Sequence, residues 1–165
     1  MKYLAVFLMV FLLGCGYKPS SYYAKKVLGD RIHVDVSISR KDPKNSVIIK
    51  DAINEAVVGR FGDRLVSQEK ADSNLYISVA SVSFVPTVYD SNGYVIGYKT
   101  NVILNTMYRN KMNQKSSFTT TGEYDFPIEA NSVISDTKRF DAIKYASLDA
   151  VNEIISKISI VGIMK

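Results

Sequence analysis

The chain has 165 residues, 21 lysines and arginines against 16 acids, and a formal net charge of +5. That length supports one domain with its own core and hardly two. A single cysteine excludes an intrachain disulfide, and one histidine beside it excludes the three- and four-ligand sets that hold zinc.

From the N-terminus, Lys2 precedes an apolar run over residues 3–13 that ends in Leu12-Leu13-Gly14-Cys15. The run is shorter than the ~20 residues that span a bilayer, and it has the length of the apolar core of a cleaved secretory signal. Small Gly14 stands directly before the cysteine and Leu12 three positions before it. A lipoprotein signal peptidase needs that small residue and a thiol already alkylated by diacylglycerol. Residues 1–14 are therefore predicted to be a cleaved lipoprotein signal peptide, with Cys15 as the lipid-attachment site carrying diacylglycerol and an N-acyl chain. Each buried CH₂ contributes about 0.8 kcal/mol, and two or more chains anchor stably. Gly16, not aspartate, follows the cysteine, the enterobacterial pattern for release to the outer membrane. No cofactor beyond this covalent lipid is expected. Loss of Lys2 lowers the net charge by one, and the remaining charges are scattered. They permit contact with anionic lipid or sugar phosphate; nucleic acid is not an expected partner of an exported chain.

Residues 15–30 contain Pro19, a serine pair and two glycines, and read as a lipidated tether. The single domain is expected over 31–165. It opens with Ile32–Ile38, which alternates apolar and polar, so Ile32, Val34, Val36 and Ile38 face inward. Pro43 breaks this run, and Asn45 or Ser46 can cap a helix over 45–62. Its apolar face is Ile49, Ala52, Ile53, Ala56, Val57 and Phe61, and Gly62 suits a positive-φ position past the helix end. A strand over 75–85 is stopped by Pro86, and Asp90-Ser91-Asn92-Gly93 marks a hairpin turn. The strand over 94–108 places Tyr94, Ile96, Tyr98, Val102 and Leu104 on one side; a fourth strand covers 116–126. After a loop, a helix over about 140–158 carries Phe140, Ile143, Ala146, Ala150, Val151, Ile154 and Ile158 on one stripe. Asp136 or Thr137 would cap it, and Glu153 and Lys157 form an i,i+4 pair. The apolar end, residues 158–165, can pack under the sheet or serve as a sticky tail. The order β-α-β-β-β-α implies an α+β two-layer sandwich with two helices on one face of a four-stranded mixed sheet.

No catalytic constellation stands out. His33 lies on the polar side of its strand near Asp35, with no G-x-S-x-G elbow anywhere, and is read as a solvated strand residue. Gly59-Arg60-Phe61-Gly62 matches the G-x-x-G of an RNA-binding loop but is read as a helix ending. The chain is therefore expected not to be an enzyme. Six tyrosines, 76, 89, 94, 98, 108 and 124, lie on or beside the sheet; they suit an interface and equally suit strands. Lys99 and Arg109 share the other strand parity, and Lys111 and Lys115 follow in the turn. Together they read as one cationic cluster at one end of the sheet, a candidate contact for the phosphates of an anionic glycolipid.

Leu12-Leu13-Gly14-Cys15-Gly16-Tyr17, the tether, the strand Ile32–Ile38, the helix over 45–62, Ala71-Asp72-Ser73-Asn74-Leu75 and the strand entered at Gly93-Tyr94 resemble the LptE family of lipopolysaccharide-assembly lipoproteins. The resemblance implies a lipid-anchored protein on the periplasmic face of the outer membrane. It implies a plug inside a large β-barrel translocon that helps the barrel assemble and assists lipopolysaccharide through it, by binding and scaffolding. It does not transfer the family's basic sheet residues, because residues 86–93 contain no basic residue; Lys99, Arg109, Lys111 and Lys115 are the substitutes. The alternative is a structural or accessory subunit of another secretion, motility or lipid-transport apparatus.

Overall fold

The computed structural model describes residues 20–38 and 43–163. Its elements are α1 (Ser20–Leu28), β1 (Ile32–Ile38), α2 (Pro43–Phe61), 3-10 turns at Gly62–Arg64 and Gln68–Lys70, β2 (Ser73–Tyr89), β3 (Val95–Asn110), β4 (Lys115–Pro127) and α3 (Asp136–Ile163). The sheet order is β1-β2-β3-β4, with β1 parallel to β2 and the other pairs antiparallel. This is the expected α+β fold, helices on one face of a mixed four-stranded sheet, with one helix more than expected.

The additional helix corrects the tether. Ala24, Val27 and Leu28 fall at helical spacing and are all buried. Gly29 ends the helix at φ +78, its amide donating to the Lys25 carbonyl at 2.8 Å, the left-handed cap geometry. Nine residues make a marginal helix alone, so α1 depends on α3: Ser159 Oγ donates to the Ser20 carbonyl at 2.6 Å. A Cβ on Gly162 would stand 2.6 Å from the Tyr23 carbonyl oxygen, so only glycine lets the two helices approach this closely. Residues 20–28 thus belong to the domain, while the signal peptide and Cys15 lie outside the described residues. The apolar C-terminal residues continue α3 to Ile163; Gly162 lies against α1, while Ile160 and Ile163 are exposed.

Strand alternation behaves as expected. Ile32 and Val36 are buried on the helix side, and Val102, Leu104 and Tyr108 line the same face of β3. On β2 that face passes from Leu75, Ile77 and Val79 to Val82 and Phe84, because a register shift between Val79 and Ser81 inverts the parity. Two proline expectations change. Pro43 opens α2, where a missing N–H costs nothing. Pro86 lies within β2 opposite Tyr98, beside a second irregularity and beyond the end of β1, so the missing donor faces no neighbour strand. Gly62 leads from α2 straight into a 3-10 turn and is not a positive-φ residue. The Asp90–Gly93 turn forms as read, with Gly93 at φ +82 and the Asp90 carboxylate accepting from the Asn92 and Tyr94 amides.

The cap of α3 is Ser135, whose Oγ accepts the Lys138 amide at 3.3 Å, one residue earlier than expected. The expected stripe of α3 is buried from Ile143 to Ile158. Where it crosses β4, a Cβ on Gly122 would overlap the Ala146 carbonyl oxygen and the Ala150 amide nitrogen. That approach brings three α3 side chains to the outer edge of β4. Glu153 accepts the Thr121 amide at 2.8 Å, Asp149 accepts the Glu123 amide at 3.1 Å, and Lys157 donates to the Thr119 carbonyl at 2.5 Å. Glu153 and Lys157 also form the expected pair, at 3.1 Å. The outer edge of β1 is covered at its start by Leu65 and Val66, the Val66 amide donating to the Ile32 carbonyl at 3.0 Å.

Candidate functional site

The helices cover one face of the sheet, and among the described residues no element covers the other. Strand register arranges its side chains in rows. The first row is His33, Asn74, Arg109 and Lys115; the second is Asp35, Tyr76, Met107 and Ser117; the third is Ser37, Ser78, Asn105 and Thr119. Residues of the second and third rows line a shallow cavity of about 460 Å³, in which the hydroxyl and amide groups of Ser37, Ser78, Asn105, Ser117 and Thr119 stand beside Met107 and Phe118. Thr119 Oγ1 donates to Asn105 Oδ1 at 2.8 Å, and Ser78 Oγ to the Asn105 carbonyl at 3.3 Å.

The four expected cations do not form one cluster. Lys99 and Arg109 share this face but stand ten residues apart on β3, about 33 Å. Lys99 pairs with Glu123 at 2.6 Å, and that hydrogen bond raises its pKa. Lys111 pairs with Asp72, also at 2.6 Å. Asp72 accepts in addition the Arg31 amide at 3.0 Å and the Arg31 guanidinium at 3.2 Å, and these donors, Lys111 foremost, hold its carboxyl well below the usual carboxylate range. Lys111 is therefore a staple: it ties the β3–β4 turn to the start of β2, next to Asn110, whose Nδ2 donates to the Val27 carbonyl at 3.3 Å. Arg109 and Lys115 differ. They are direct cross-strand partners, both exposed, and neither forms an ion pair among the described residues. Directly opposed like charges destabilise a sheet, and an anion between them removes that cost.

His33 is not freely solvated. Its Nδ1 lies 3.2 Å from the Val66 carbonyl oxygen and helps hold the 65–66 segment on β1. Among the described residues no group of three or more His, Cys, Asp or Glu could hold a metal ion. The tyrosines divide by position. Tyr108 is buried, and Tyr98 and Tyr124 stack near Phe126 in a small second core with Ile128 and Ala142. Tyr89 and Tyr94 are exposed at the β2–β3 hairpin, where the sheet has run past the helices. Tyr94 thus departs from the parity argument that holds for Tyr98 and Tyr108.

The family model described as LptE, lipopolysaccharide-assembly, matches residues 32–158, from the first residue of β1 into α3. The chain belongs to the LptE family. The match takes in every strand, α2 and α3 as far as Ile158 of this LptE-family chain, together with the row that holds Arg109 and Lys115; α1 precedes it. Among solved structures the chain is similar to rare lipoprotein B from Shewanella oneidensis, at 10% identity and a TM-score of 0.48 over 80% of this chain and 97% of that one. It is also similar to a protein from Xanthomonas campestris, at 16% identity and a TM-score of 0.46 over 81% and 86% of the two chains. No curated protein matches the chain.

Proposed function

We propose that this LptE-family chain is a lipid-anchored protein of the outer membrane, on its periplasmic face. It seats as a plug in a large β-barrel translocon, helps that barrel assemble, and offers a binding face to lipopolysaccharide bound for the cell surface. It works by binding and scaffolding, with no bond broken. Among the described residues no helix is long and apolar enough to cross a membrane, and in this reading the acyl chains on Cys15 supply the attachment.

The Arg109–Lys115 pair carries the reading. Two uncompensated cations side by side on an open face suit a phosphate, which accepts charge-assisted hydrogen bonds from both. The hydroxyl and amide groups of the adjoining cavity offer donors and acceptors that match sugar hydroxyls. Lys99 and Lys111 already have carboxylate partners and contribute little to such a site.

Binding of purified lipopolysaccharide separates these roles. Arg109→Ser with Lys115→Ser should weaken it by about tenfold or more, as expected for lost hydrogen bonds to charged groups, while Lys99→Ser or Lys111→Ser should leave it nearly unchanged. An unaltered affinity in the double variant would remove the site. For the plug, affinity purification from detergent-solubilised outer membranes should recover one large β-barrel at equal stoichiometry. Recovery of a different complex without the barrel would sink that reading.

A further inference from the structure

Charge is spread unevenly from one end of the sheet to the other. α2 returns the chain to the start of β1, so residues 60–72, α1 with residues 29–31, and the β3–β4 turn over 109–115 all meet at one end. Backbone amides of Val66, Asp72 and Lys111 join them, donating in turn to the carbonyls of Ile32, Arg31 and Asp72. These three segments hold nine basic residues against four acids. The rest of the described chain holds seven basic residues against eleven acids. The molecule is thus positive at the end where α1 begins, five residues after Cys15, and negative over the remainder.

The β3–β4 turn at this end is fixed in one shape. Asn113 adopts φ +57, and its amide donates to the Asn110 carbonyl at 2.9 Å. The Asn110 side chain accepts the Gln114 amide at 3.0 Å and donates to Gln114 Oε1 at 3.0 Å, besides its bond to Val27. The Lys111 amide donates to the Asp72 carbonyl at 3.0 Å while its ammonium pairs with the Asp72 carboxylate. The tip of this turn is Met112, 69% exposed. Its exposure is therefore imposed by the turn. Met112 lines one small cavity with Lys26, Val27 and Gly162, so cations from α1 and from the turn flank it. Lys26 has no carboxylate partner among the described residues, and Asp72 faces two cations, which leaves a positive charge uncompensated there.

We infer that this end is a docking face for an anionic phospholipid surface, with Met112 entering the headgroup boundary and Lys26 and the Arg31–Asp72–Lys111 group facing lipid phosphates. The inference rests on the acyl attachment proposed at Cys15, which puts a bilayer within five residues of α1. Basic residues are drawn to the negative potential of anionic lipids over about a Debye length, ~10 Å at moderate salt. Methionine is unbranched and adapts to irregular apolar surroundings, and lysine stems lie along apolar material while their heads stay at the phosphates. The same surface repels the acidic remainder, so the field turns the molecule as well as drawing its end down. Acyl chains alone attach a domain in any orientation; this distribution of charge selects one. A second copy of the chain is a poorer occupant, because two such ends would oppose like charges.

Peroxide oxidation of the full wild-type chain reads where Met112 lies, with Met107, 48% exposed on the open sheet face, as the internal control. Sulfoxide in each peptide is followed by mass, with vesicles of phosphatidylcholine containing about 30% phosphatidylglycerol or of phosphatidylcholine alone. The anionic vesicles should slow oxidation of Met112 by about fivefold or more and leave Met107 unchanged, and neutral vesicles should slow neither. Lys25→Ser with Lys26→Ser should remove the protection while keeping the unfolding midpoint. Equal rates at Met112 with both vesicles, or equal slowing of Met107, overturn the inference. So does protection by lipopolysaccharide with none by phosphatidylglycerol, which would make this end part of the Arg109–Lys115 site. Protection without vesicles that grows with protein concentration overturns it too, making the occupant a second copy. The mass of the Cys15 peptide reports the anchor separately: a lipid-free Cys15 with Met112 protected sinks the anchor and keeps the face, and an acylated Cys15 with Met112 unprotected does the reverse.

Discussion

Asp72 answers to Lys111 from the β3–β4 turn and to the amide and guanidinium of Arg31, which precedes β1. Its carboxyl is held below the ordinary range near 4 of the unfolded chain. The ionised form is thus favoured by folding. Stability from this group is fully present above the unfolded pKa and is lost as pH falls through the lower folded value. Unfolding midpoints measured from pH 7 down to pH 2 should show Asp72→Asn less stable than wild type at pH 7 and the gap closing below about pH 4. A gap of constant size would mean that the carboxylate charge is not what the corner uses. Parity in β3 correctly separated Lys99 and Arg109 from Tyr98 and Tyr108 in the sequence. What it could not reveal was pairing: the partners of Lys99 and Lys111 stand 24 and 39 positions away, on other elements, and no local pattern records them.

Among elements, α3 and β4 depend on one another most closely. The apolar stripe of α3 was legible because seven residues repeat at helical spacing, and Ile154, fully buried, should cost about 2–5 kcal/mol when cut to alanine. The capping of the β4 edge was not legible, since Asp149, Glu153 and Lys157 look like an ordinary solvated helix face until β4 is laid beside them. Gly122 in a strand was the one available signal, marking a close backbone approach. Gly122→Ala should lower the denaturation free energy by about 3 kcal/mol, the upper end for overpacking, because both atoms in the way are backbone. Glu153→Ala should cost about 1 kcal/mol for the lost bond to the Thr121 amide and should speed exchange of that amide in particular. Equal exchange in variant and wild type would show the edge to be covered by other means. α1 escaped notice because nine residues offer only two turns of periodicity, and its closing signal, Gly29 after Leu28, was masked by the serines and proline before it.

For the molecule as a whole, hydrophobic period and turn chemistry sufficed for a four-stranded mixed sheet with helices on one face; the strand order came from the structure, in which each β hairpin joins neighbours in sequence and the single parallel pair is linked through one helix. The open face, by contrast, became informative only when register aligned residues from four strands into rows. The docking of α1 has a mechanical result. Only residues 16–19 separate Cys15 from the folded domain, so five Cα steps reach at most about 18 Å. With acyl chains on Cys15, as proposed, the domain hangs on a leash far shorter than residues 15–30 would allow. α1 is bonded to the Asn110 end of β3, and the 16 residues of that strand carry the opposite hairpin about 50 Å away. The molecule then acts as a spacer of set height, with its basic row near the lipid surface and its hairpin projecting from it, and the short leash keeps the domain at high local concentration for a membrane partner. Ten Gly-Ser residues inserted before Ser20 should leave the unfolding midpoint unchanged and lower the recovery of the barrel. Undiminished recovery would show that height above the membrane is not measured by this segment.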